Sequence, residues 1–299
     1  ESDGSFLNLP LNYSVVTNLD KEHLDFYKNF KNLKNSFIDF LNKTPPMGKA
    51  FVCLDDYELK KLIKKIKNKN FFTYGFSNKS NFKIYHSIYK KNYSIFSLRI
   101  SMPGSKTFNI KKIKLNLIGK HNVLNSVAAI SVCIHLGIKE NVIKKSLENF
   151  TGIQRRLTKV FTINGREFYD DYAHHPTEIK SVLKSLKTTS PKRKVVAVFQ
   201  PHRYSRLKLL KKEFATSFKD SNLVILCPVF SAGEKIDKNY NQSEFAKLIS
   251  NKSNIQVIIV SNELDLKKYF IKNLISDEIV ICMGAGSISK WIREMKLNN

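Results

Sequence analysis

Two short segments of the chain concentrate side chains that could do chemistry. Residues 170–178 read DDYAHHPTE, and residues 199–206 read FQPHRYSR. Imidazole and carboxylate groups can hold or move protons, and a guanidinium can grip an anionic group through two parallel hydrogen bonds. The candidate residues are Asp171, Tyr172, His174, His202, Arg203 and Arg206. Such a set would suit an anionic substrate together with a nucleophilic amine.

Arginine usage strengthens this interpretation. The chain has eight arginines among its 51 lysines and arginines, and four of the eight form two clusters, Arg155 with Arg156 and Arg203 with Arg206. Where lysine supplies most of the positive charge, clustered arginines indicate places where the planar, bidentate guanidinium is needed. Each segment alone could be ordinary, either a helix cap with an exposed histidine pair or a surface loop. Their combination favours a functional site.

Three other motifs carry weaker signals. Residues 119–129, GKHNVLNSVAA, enter a helix whose first N–H groups could receive a phosphate, with His121, Asn122 and Asn125 bonding a nucleotide. Helix capping and close packing explain this segment equally well. His23 is a possible metal ligand, but a lone histidine is more often structural. The GAGSIS segment lacks the third glycine and acidic partner of a dinucleotide site.

The elements that would position these residues follow an α/β pattern in the first half of the chain. Strands are predicted at 13–17, 50–54 and 71–74, and helices at 32–41, 57–66, 123–136 and 141–149. The strand at 13–17 reads as buried. Residues 82–118 change to short alternating stretches, which predict a small antiparallel sheet or meander.

A second α/β series follows Gly152. Strands are predicted near 168–170, 195–199, 224–226, 256–260 and 279–282, with helices between them. This alternation predicts a mostly parallel, doubly wound sheet whose binding crevice lies beyond the carboxyl ends of the strands. We expect strands 168–170 and 195–199 to be neighbours, which would bring the two chemical segments together. Pro176 stands where a helix would begin.

Composition limits the classes of protein that remain. No apolar run approaches the roughly 18–20 residues of a membrane span, and no signal peptide is evident, so a cytoplasmic protein without a membrane partner is expected. The four dispersed cysteines predict buried free thiols. The net charge of +26 could indicate nucleic-acid binding, but the excess lysines are dispersed and no stacking motif accompanies them. We therefore favour a solvated basic surface with acidic small-molecule substrates and no nucleic acid.

Taken in order, eight segments resemble the Mur ligase family across essentially the whole chain. They are ESDGSF, VVTNLDKEHLD, GKHNVLNSVAA, GIQRR, DDYAHHPTE, VFQPHRYSR, SAGE and GAGSIS. The resemblance implies an α/β fold, with part of a central ATPase domain over residues 1–152 and a Rossmann-like, doubly wound domain over 153–299. Because the sequence contains no GxxxxGK[ST] phosphate loop, we expect it to begin inside the central domain and to be inactive by itself.

The segments are most similar to the family's enzyme for UDP-N-acetylmuramate and L-alanine, which implies an ATP- and Mg²⁺-dependent ligase acting through an acyl phosphate. On this resemblance His23 would bind Mg²⁺. The predicted nucleotide contacts are His121, Asn122, Asn125, Arg156, Asp171 and Tyr172. The predicted alanine contacts are His174, His202, Arg203 and Arg206.

Three alternatives stay open at this point. A recycling ligase that attaches a whole tripeptide to the same sugar has a similar DD[YF]AHHP motif. A basic, non-catalytic nucleic-acid-binding protein would show salt-dependent DNA binding without nucleotide binding. A degenerate fragment would have no activity.

Overall fold

The computed structural model describes residues 3–275 and 277–295, so the first two residues of the ESDGSF segment lie outside the described residues. The chain divides into two compact units, residues 1–151 and residues 152–299. Each unit contains its own six-stranded sheet, which confirms the predicted α/β fold class.

The first unit is built on strands that follow the chain order across the sheet. The strands are β1 (Tyr13–Val16), β2 (Lys49–Cys53), β3 (Phe71–Gly75), β4 (Phe82–Tyr89), β5 (Ser94–Ile100) and β6 (Phe108–Leu115). Strands β1 to β4 pair in parallel, and β4 to β6 pair antiparallel. The predicted antiparallel meander over residues 82–118 is confirmed for β4 to β6, and the pairing of β4 with β3 joins it to the parallel strands in one sheet.

The helices of the first unit are α1 (Leu24–Tyr27), α2 (Phe30–Asn42), α3 (Tyr57–Leu62), α4 (Lys120–His135) and α5 (Glu140–Asn149). Helices α2 and α3 begin at side chains that cap them. Asn29 accepts the first-turn N–H of Asn32, and Asp56 accepts that of Leu59. The predicted helix 57–66 is α-helical only to Leu62 and continues as a 3₁₀ turn.

Strand β1 was predicted to be buried, and that prediction was wrong for half of its residues. Its side chains alternate between exposed and buried: Tyr13 and Val15 are 37% and 41% exposed, while Ser14 and Val16 are buried. As an end strand of the sheet among the described residues, β1 presents one face to the core, and period-two alternation follows.

The second unit has the strand order β11-β10-β9-β12-β8-β7. Its strands are β7 (Thr158–Ile163), β8 (Arg166–Asp171), β9 (Val195–Phe199), β10 (Leu223–Leu226), β11 (Gln256–Ile259) and β12 (Ile279–Met283). Strands β8 to β12 pair in parallel, and β7 pairs antiparallel with β8. The doubly wound sheet is confirmed. Strand β7 was missed because it is largely half-exposed and lacks a continuous apolar run.

Helices flank this sheet. They are α6 (Pro176–Thr189), α7 (Tyr204–Ala215), α8 (Gln242–Ser253), α9 (Glu263–Asn273) and α10 (Ile288–Glu294). Every residue of β9 and β12 is buried, as expected for parallel strands with both faces covered. Cys53, Cys227 and Cys282 are buried free thiols as predicted, whereas Cys133 is half-buried. No helix among the described residues has both the length and the apolarity needed to cross a bilayer.

Arg193 joins the amino ends of three strand regions in the second unit. Its guanidinium donates to the Glu167 carboxylate, to the carbonyl oxygens of Gly165 and Glu278 at 3.0 Å each, and to that of Asp277 at 3.0 Å. Burial alone would raise the pKa of Glu167, but hydrogen bonds and charge from Lys159 and Arg193 lower it to about 2. The Glu167 pairing therefore stabilises the fold above its unfolded pKa, and that contribution is lost as pH falls towards 2.

We expect Arg193→Lys to lower the free energy of unfolding of the second unit by about 3 kcal/mol, since an ammonium cannot serve all these acceptors in one plane. The single tryptophan, Trp291, packs against the core of this unit, so its fluorescence during urea unfolding reports the change. The control is Arg99→Lys, at an exposed position of β5. An Arg193→Lys midpoint equal to that of the control would contradict the prediction.

Candidate active site

The loop after β8 is held by an unusual helix cap. His175 is the N-cap of α6, its Nδ1 accepts the N–H of Thr177 at 3.3 Å, and Pro176 occupies the first turn as predicted. Glu178 completes the capping box, because its Oε2 accepts the N–H groups of His174 and His175 at 2.9 and 3.1 Å. His175 is thus a buried structural residue, and His174 is the half-buried member of the pair.

Asp171 ties this loop to the segment that precedes β7. Its Oδ1 accepts the N–H of Ala173 and its Oδ2 accepts the N–H of Leu157, both at 2.7 Å. Burial raises the pKa of Asp171 to about 6, against the opposing effect of these two hydrogen bonds. Both carboxylate oxygens of Asp171, a predicted nucleotide contact, therefore accept hydrogen bonds from the backbone.

Tyr172 lies under the arginine pair. The guanidinium carbon of Arg155 is 4.5 Å from the ring centroid and that of Arg156 is 5.7 Å away. Arg155 also donates to the carbonyl oxygen of Gly284 at 2.8 Å, whereas Arg156 is exposed and lies 3.5 Å from Glu178. The sequence motif singled out Arg156, but Arg155 makes the closer contact with the aromatic ring.

His174 is oriented by its own loop. Its Nδ1 lies 2.9 Å from the carbonyl oxygen of Tyr172, and its ring is 5.1 Å from the Tyr172 ring in an edge-on arrangement. The Glu178 carboxylate is 3.5 Å from the same Nδ1. A carbonyl oxygen can only accept, so Nδ1 carries the proton in this contact.

His202 is held by Arg206, which is one helical turn further along. A terminal nitrogen of Arg206 donates to Nδ1 of His202 at 2.9 Å and to its carbonyl oxygen at 3.1 Å. The His202 ring stacks on Phe230 with centroids 5.6 Å apart and planes inclined by 20°. Burial lowers the pKa of His202 to about 4, assisted by the charges of Arg206, His174 and Arg203.

The two chemical segments do meet, but not for the expected reason. The rings of His174 and His202 have centroids 5.7 Å apart. Strands β8 and β9 are not neighbours, however, because β12 lies between them and pairs with both. The adjacency prediction was wrong, whereas the predicted convergence of the loops is confirmed.

Glycines after β12 allow this convergence. A Cβ at Gly284 would lie 2.8 Å from the carbonyl oxygen of Gln200, and one at Gly286 would lie 2.5 Å from the Phe230 ring. The Gln200 side chain then bonds Ser287 at 3.0 Å and the N–H of Ile288 at 2.9 Å. Because these two positions lack a Cβ, the GAGSIS segment leaves room for the loops after β8 and β9 to lie close together.

Arg203 begins α7 with a left-handed backbone, at φ 69°. Its N–H donates to the carbonyl oxygen of Phe230 at 2.9 Å, and the N–H of Phe230 donates to Pro201 at 2.8 Å. Glu234 accepts from the N–H and hydroxyl of Ser205 at the same helix end. Sequence reasoning had not assigned roles to Phe230, Glu234, Glu178 or Arg155. Glu234 and Arg155 lie in the SAGE and GIQRR segments, but their partners are distant in the chain. Glu178 lies in DDYAHHPTE, and its place three residues after the N-cap is the local signal of a capping box.

The first unit carries the predicted phosphate-binding helix. Gly119, at φ 96°, precedes α4, which has no side-chain cap among the described contacts. The Asn122 side chain donates to the carbonyl oxygen of Ile118 at 2.8 Å, so its amide supports the turn before the helix. His121 and Asn125 stand one helical turn apart on the same face. Lys120, a residue of the same motif with no predicted role, lies 3.4 Å from Asp55.

His23, the predicted metal ligand, lies after β1 at the N-cap of α1 with a left-handed φ of 53°. Within residues 3–275 and 277–295 there is no group of three or more His, Cys, Asp or Glu side chains that could hold a metal ion. The assignment of His23 stays a prediction.

Comparison with known proteins adds the family. The chain matches the Mur ligase middle domain over residues 2–133 and the Mur ligase glutamate ligase domain over residues 155–286. A UDP-N-acetylmuramate–L-alanine ligase from Pelagibacter ubique is 50% identical over 295 residues, which are 99% of this chain and 64% of that protein. The chain thus spans less than two thirds of that relative's length.

Two solved structures have the same fold. A UDP-N-acetylmuramate-alanine ligase from Thermotoga maritima matches with a TM-score of 0.75 at 23% identity, covering 98% of this chain and 60% of that one. A MurF ligase from Thermotoga maritima in complex with ADP matches with a TM-score of 0.70 at 16% identity, covering 95% and 60%. Since the two matched family domains together account for most of the sequence, the chain belongs to the Mur ligase family and contains its middle and glutamate ligase domains.

Proposed function

We propose that this chain forms the middle and C-terminal domains of a cytoplasmic ligase that joins L-alanine to UDP-N-acetylmuramate at the expense of ATP. The observation that carries the proposal is the cluster of His174, His202, Arg203 and Arg206 at the carboxyl edge of the second sheet. The name of the Pelagibacter ubique relative, at 50% identity, supports the same substrates.

The cluster suits the second half of such a reaction. A carboxylate activated as an acyl phosphate is attacked by the amine of an amino acid, and phosphate leaves. This chemistry needs alignment and charge neutralisation more than a covalent enzyme intermediate. In our proposal Arg203 and Arg206 bind the carboxylate of alanine, and the two histidines lie at its amine and at the reacting carbonyl.

The nucleotide contacts are proposed separately in each unit. In the first unit, the uncapped start of α4 with His121, Asn122 and Asn125 suits the phosphates and ribose of ATP. In the second, Tyr172 with its stacked arginines offers an aromatic surface near adenine. Asp171 has both carboxylate oxygens on backbone N–H groups, so it supports that surface and can contact the nucleotide only through remaining lone pairs.

The proposed reaction includes Mg²⁺, because ATP-dependent ligation commonly uses this ion to neutralise phosphate charge. The described residues supply His23 but no cluster of three potential ligands, so further ligands would have to come from ATP, water or residues outside those described.

The proposal predicts that the 299-residue chain does not ligate by itself, because its sequence has no phosphate loop. The missing part can be supplied as a chimera, in which the segment of the Pelagibacter ubique relative that this chain does not match is added to it. We call this chimera the completed enzyme. It should form product only with Mg²⁺, ATP, UDP-N-acetylmuramate and L-alanine together. Phosphate release and mass spectrometry of the product measure this.

Two results would contradict the proposal. Robust ATP-dependent ligation by residues 1–299 alone would show that the phosphate site has been misplaced. A completed enzyme that used a tripeptide but not free L-alanine would instead favour the recycling reaction. The complete Pelagibacter ubique relative is the positive control, because it contains the added part in its own sequence.

A further inference from the structure

Building on the proposed function, we propose that the two histidines of the site have opposite roles. His174 accepts a proton from the amine of the amino acid at Nε2, and His202 donates a hydrogen bond from Nε2 as a neutral imidazole. The hydrogen bonds at the two Nδ1 atoms carry this assignment, because the partner at Nδ1 decides which tautomer a neutral histidine adopts.

His174 is set as the base. The partner of its Nδ1, at 2.9 Å, is the carbonyl oxygen of Tyr172, which can only accept a hydrogen bond. The proton must therefore be on Nδ1, and Nε2 carries the lone pair. Glu178, 3.5 Å from Nδ1, stabilises the positive charge that forms when Nε2 takes a second proton. The same carboxylate accepts the N–H of His174 and so holds the residue in place.

His202 is set as the donor. The partner of its Nδ1, at 2.9 Å, is a guanidinium nitrogen of Arg206, which can only donate. Nδ1 must therefore carry the lone pair, and the proton of the neutral ring is on Nε2. The groups around the ring oppose a second proton: Arg206 on α7 and Arg203 at its N-cap repel it, His174 on the facing loop does so once it is protonated, and Glu234 is the carboxylate that favours it.

Glu234 contributes less than burial and the two arginines. Its carboxylate accepts from the N–H and hydroxyl of Ser205. The pKa of His202, lowered by burial first and by the cations next to about 4, agrees with a ring that stays neutral at physiological pH. Phe230, stacked on the ring at 5.6 Å, adds an apolar face and keeps the imidazole plane fixed.

The spacing allows the two histidines to reach the two reacting groups. Their centroids are 5.7 Å apart with planes inclined by 58°, so the rings are near neighbours without being stacked. In a near-attack arrangement the amine nitrogen and the carbonyl carbon are about 3–3.5 Å apart. The amine can then lie at His174 while the carbonyl oxygen lies at His202.

The proton transfers can be followed through the reaction. The ammonium of alanine gives one proton to Nε2 of His174, and the nitrogen lone pair then forms a C–N bond with the carbonyl carbon of the acyl phosphate. The Nε2–H of His202 donates to the carbonyl oxygen as it gains negative charge. The C–O bond to phosphate breaks with its electron pair on the phosphate, and the second nitrogen proton leaves with that group.

The tautomers can be tested without any enzyme activity. In the 299-residue chain labelled with ¹⁵N-histidine, long-range ¹H–¹⁵N spectra near pH 7.5 should show the proton on Nδ1 for His174 and on Nε2 for His202, each assigned with a His→Gln variant. Arg206→Met should convert His202 to a mixture of tautomers and raise its titration midpoint. Lys208→Met, an exposed change on the same helix, should alter neither. The same tautomer at both histidines would overturn the proposal.

Kinetics of the completed enzyme test the roles themselves. His174→Gln should lower kcat by about 10²- to 10⁴-fold, since glutamine cannot accept the proton. His202→Gln, whose amide can still donate, should keep activity within about 10-fold of wild type, and His202→Leu should lose more than His202→Gln. An inactive His202→Gln beside an active His174→Gln would reverse the assignment. A wild-type chimera that forms no product would count against the proposed function, whereas the NMR result would still decide the tautomers.

Discussion

Arg206→Lys is expected to lower kcat/KM for L-alanine by about 10- to 150-fold in the completed enzyme, which corresponds to the loss of one charge-assisted hydrogen bond. The guanidinium donates to both Nδ1 and the carbonyl oxygen of His202 through a single nitrogen, and in our proposal its planar fork also binds the carboxylate of alanine. A lysine ammonium is a point charge on a flexible stem and cannot reproduce that geometry.

The expected loss should appear mainly with varied alanine, and ATP binding measured by calorimetry should change little. The matched control is Arg166→Lys, an arginine at the opposite, amino end of strand β8, whose contacts are the carbonyl oxygens of Phe270 and Leu274. Alanine kinetics near wild type for Arg206→Lys would remove this residue from the site and leave it a surface cation that supports His202.

The second large effect is on stability. Asp170 is fully buried at the end of β8, where its Oδ2 accepts the hydroxyl of Ser289 at 2.6 Å and Nε of Arg293 at 2.9 Å, with a second Arg293 nitrogen also at 2.9 Å. Asp170→Ala removes the anion and leaves the arginine without its partner. We expect the free energy of unfolding of the second unit to fall by about 3 kcal/mol, the lower end for a broken buried pair, since the Arg293 side chain is partly exposed.

Urea unfolding followed by far-UV circular dichroism measures this change, because Trp291 lies too close to Arg293 for its fluorescence to serve alone. The double variant Asp170→Leu with Arg293→Met is expected to recover part of the loss, since an apolar pair carries no uncompensated charge. If Asp170→Ala unfolds at the wild-type midpoint, the ion pair contributes nothing to the fold. If the double variant is no better than Asp170→Ala, packing rather than the unpaired arginine explains the loss.

Local patterns were enough to predict most of the elements and the two segments of the site. The strand at Val195–Phe199 matches the structure in full, because five consecutive apolar residues are typical of a parallel strand with both faces covered. The start of α6 at Pro176 follows from the fixed φ of proline, which suits the first helical turn. Such features depend on residues a few positions apart and therefore show in the sequence.

Strand pairing depends on residues far apart in the chain, and the sequence predicted it only in part. The 82–118 region forms the antiparallel strands that its alternation predicts, but no local pattern indicates that β4 also pairs in parallel with β3, over only two residues. The placement of β12 between β8 and β9 likewise has no local signal, because the order of strands in a sheet depends on pairing between segments distant in the chain.

The sequence alone therefore determined the α/β class, the position of most helices and strands, and the residues with the right chemistry for an amine and an anion. Only the tertiary structure decided what each of those residues does. Arg155 meets Gly284 across 129 positions, and Asp171 turns to the backbone of Leu157. His174 and His202 differ because one Nδ1 meets a carbonyl oxygen and the other a guanidinium. A side chain's tautomer and charge follow from the partner it meets in space, and that partner is set by packing over long separations that no local pattern records.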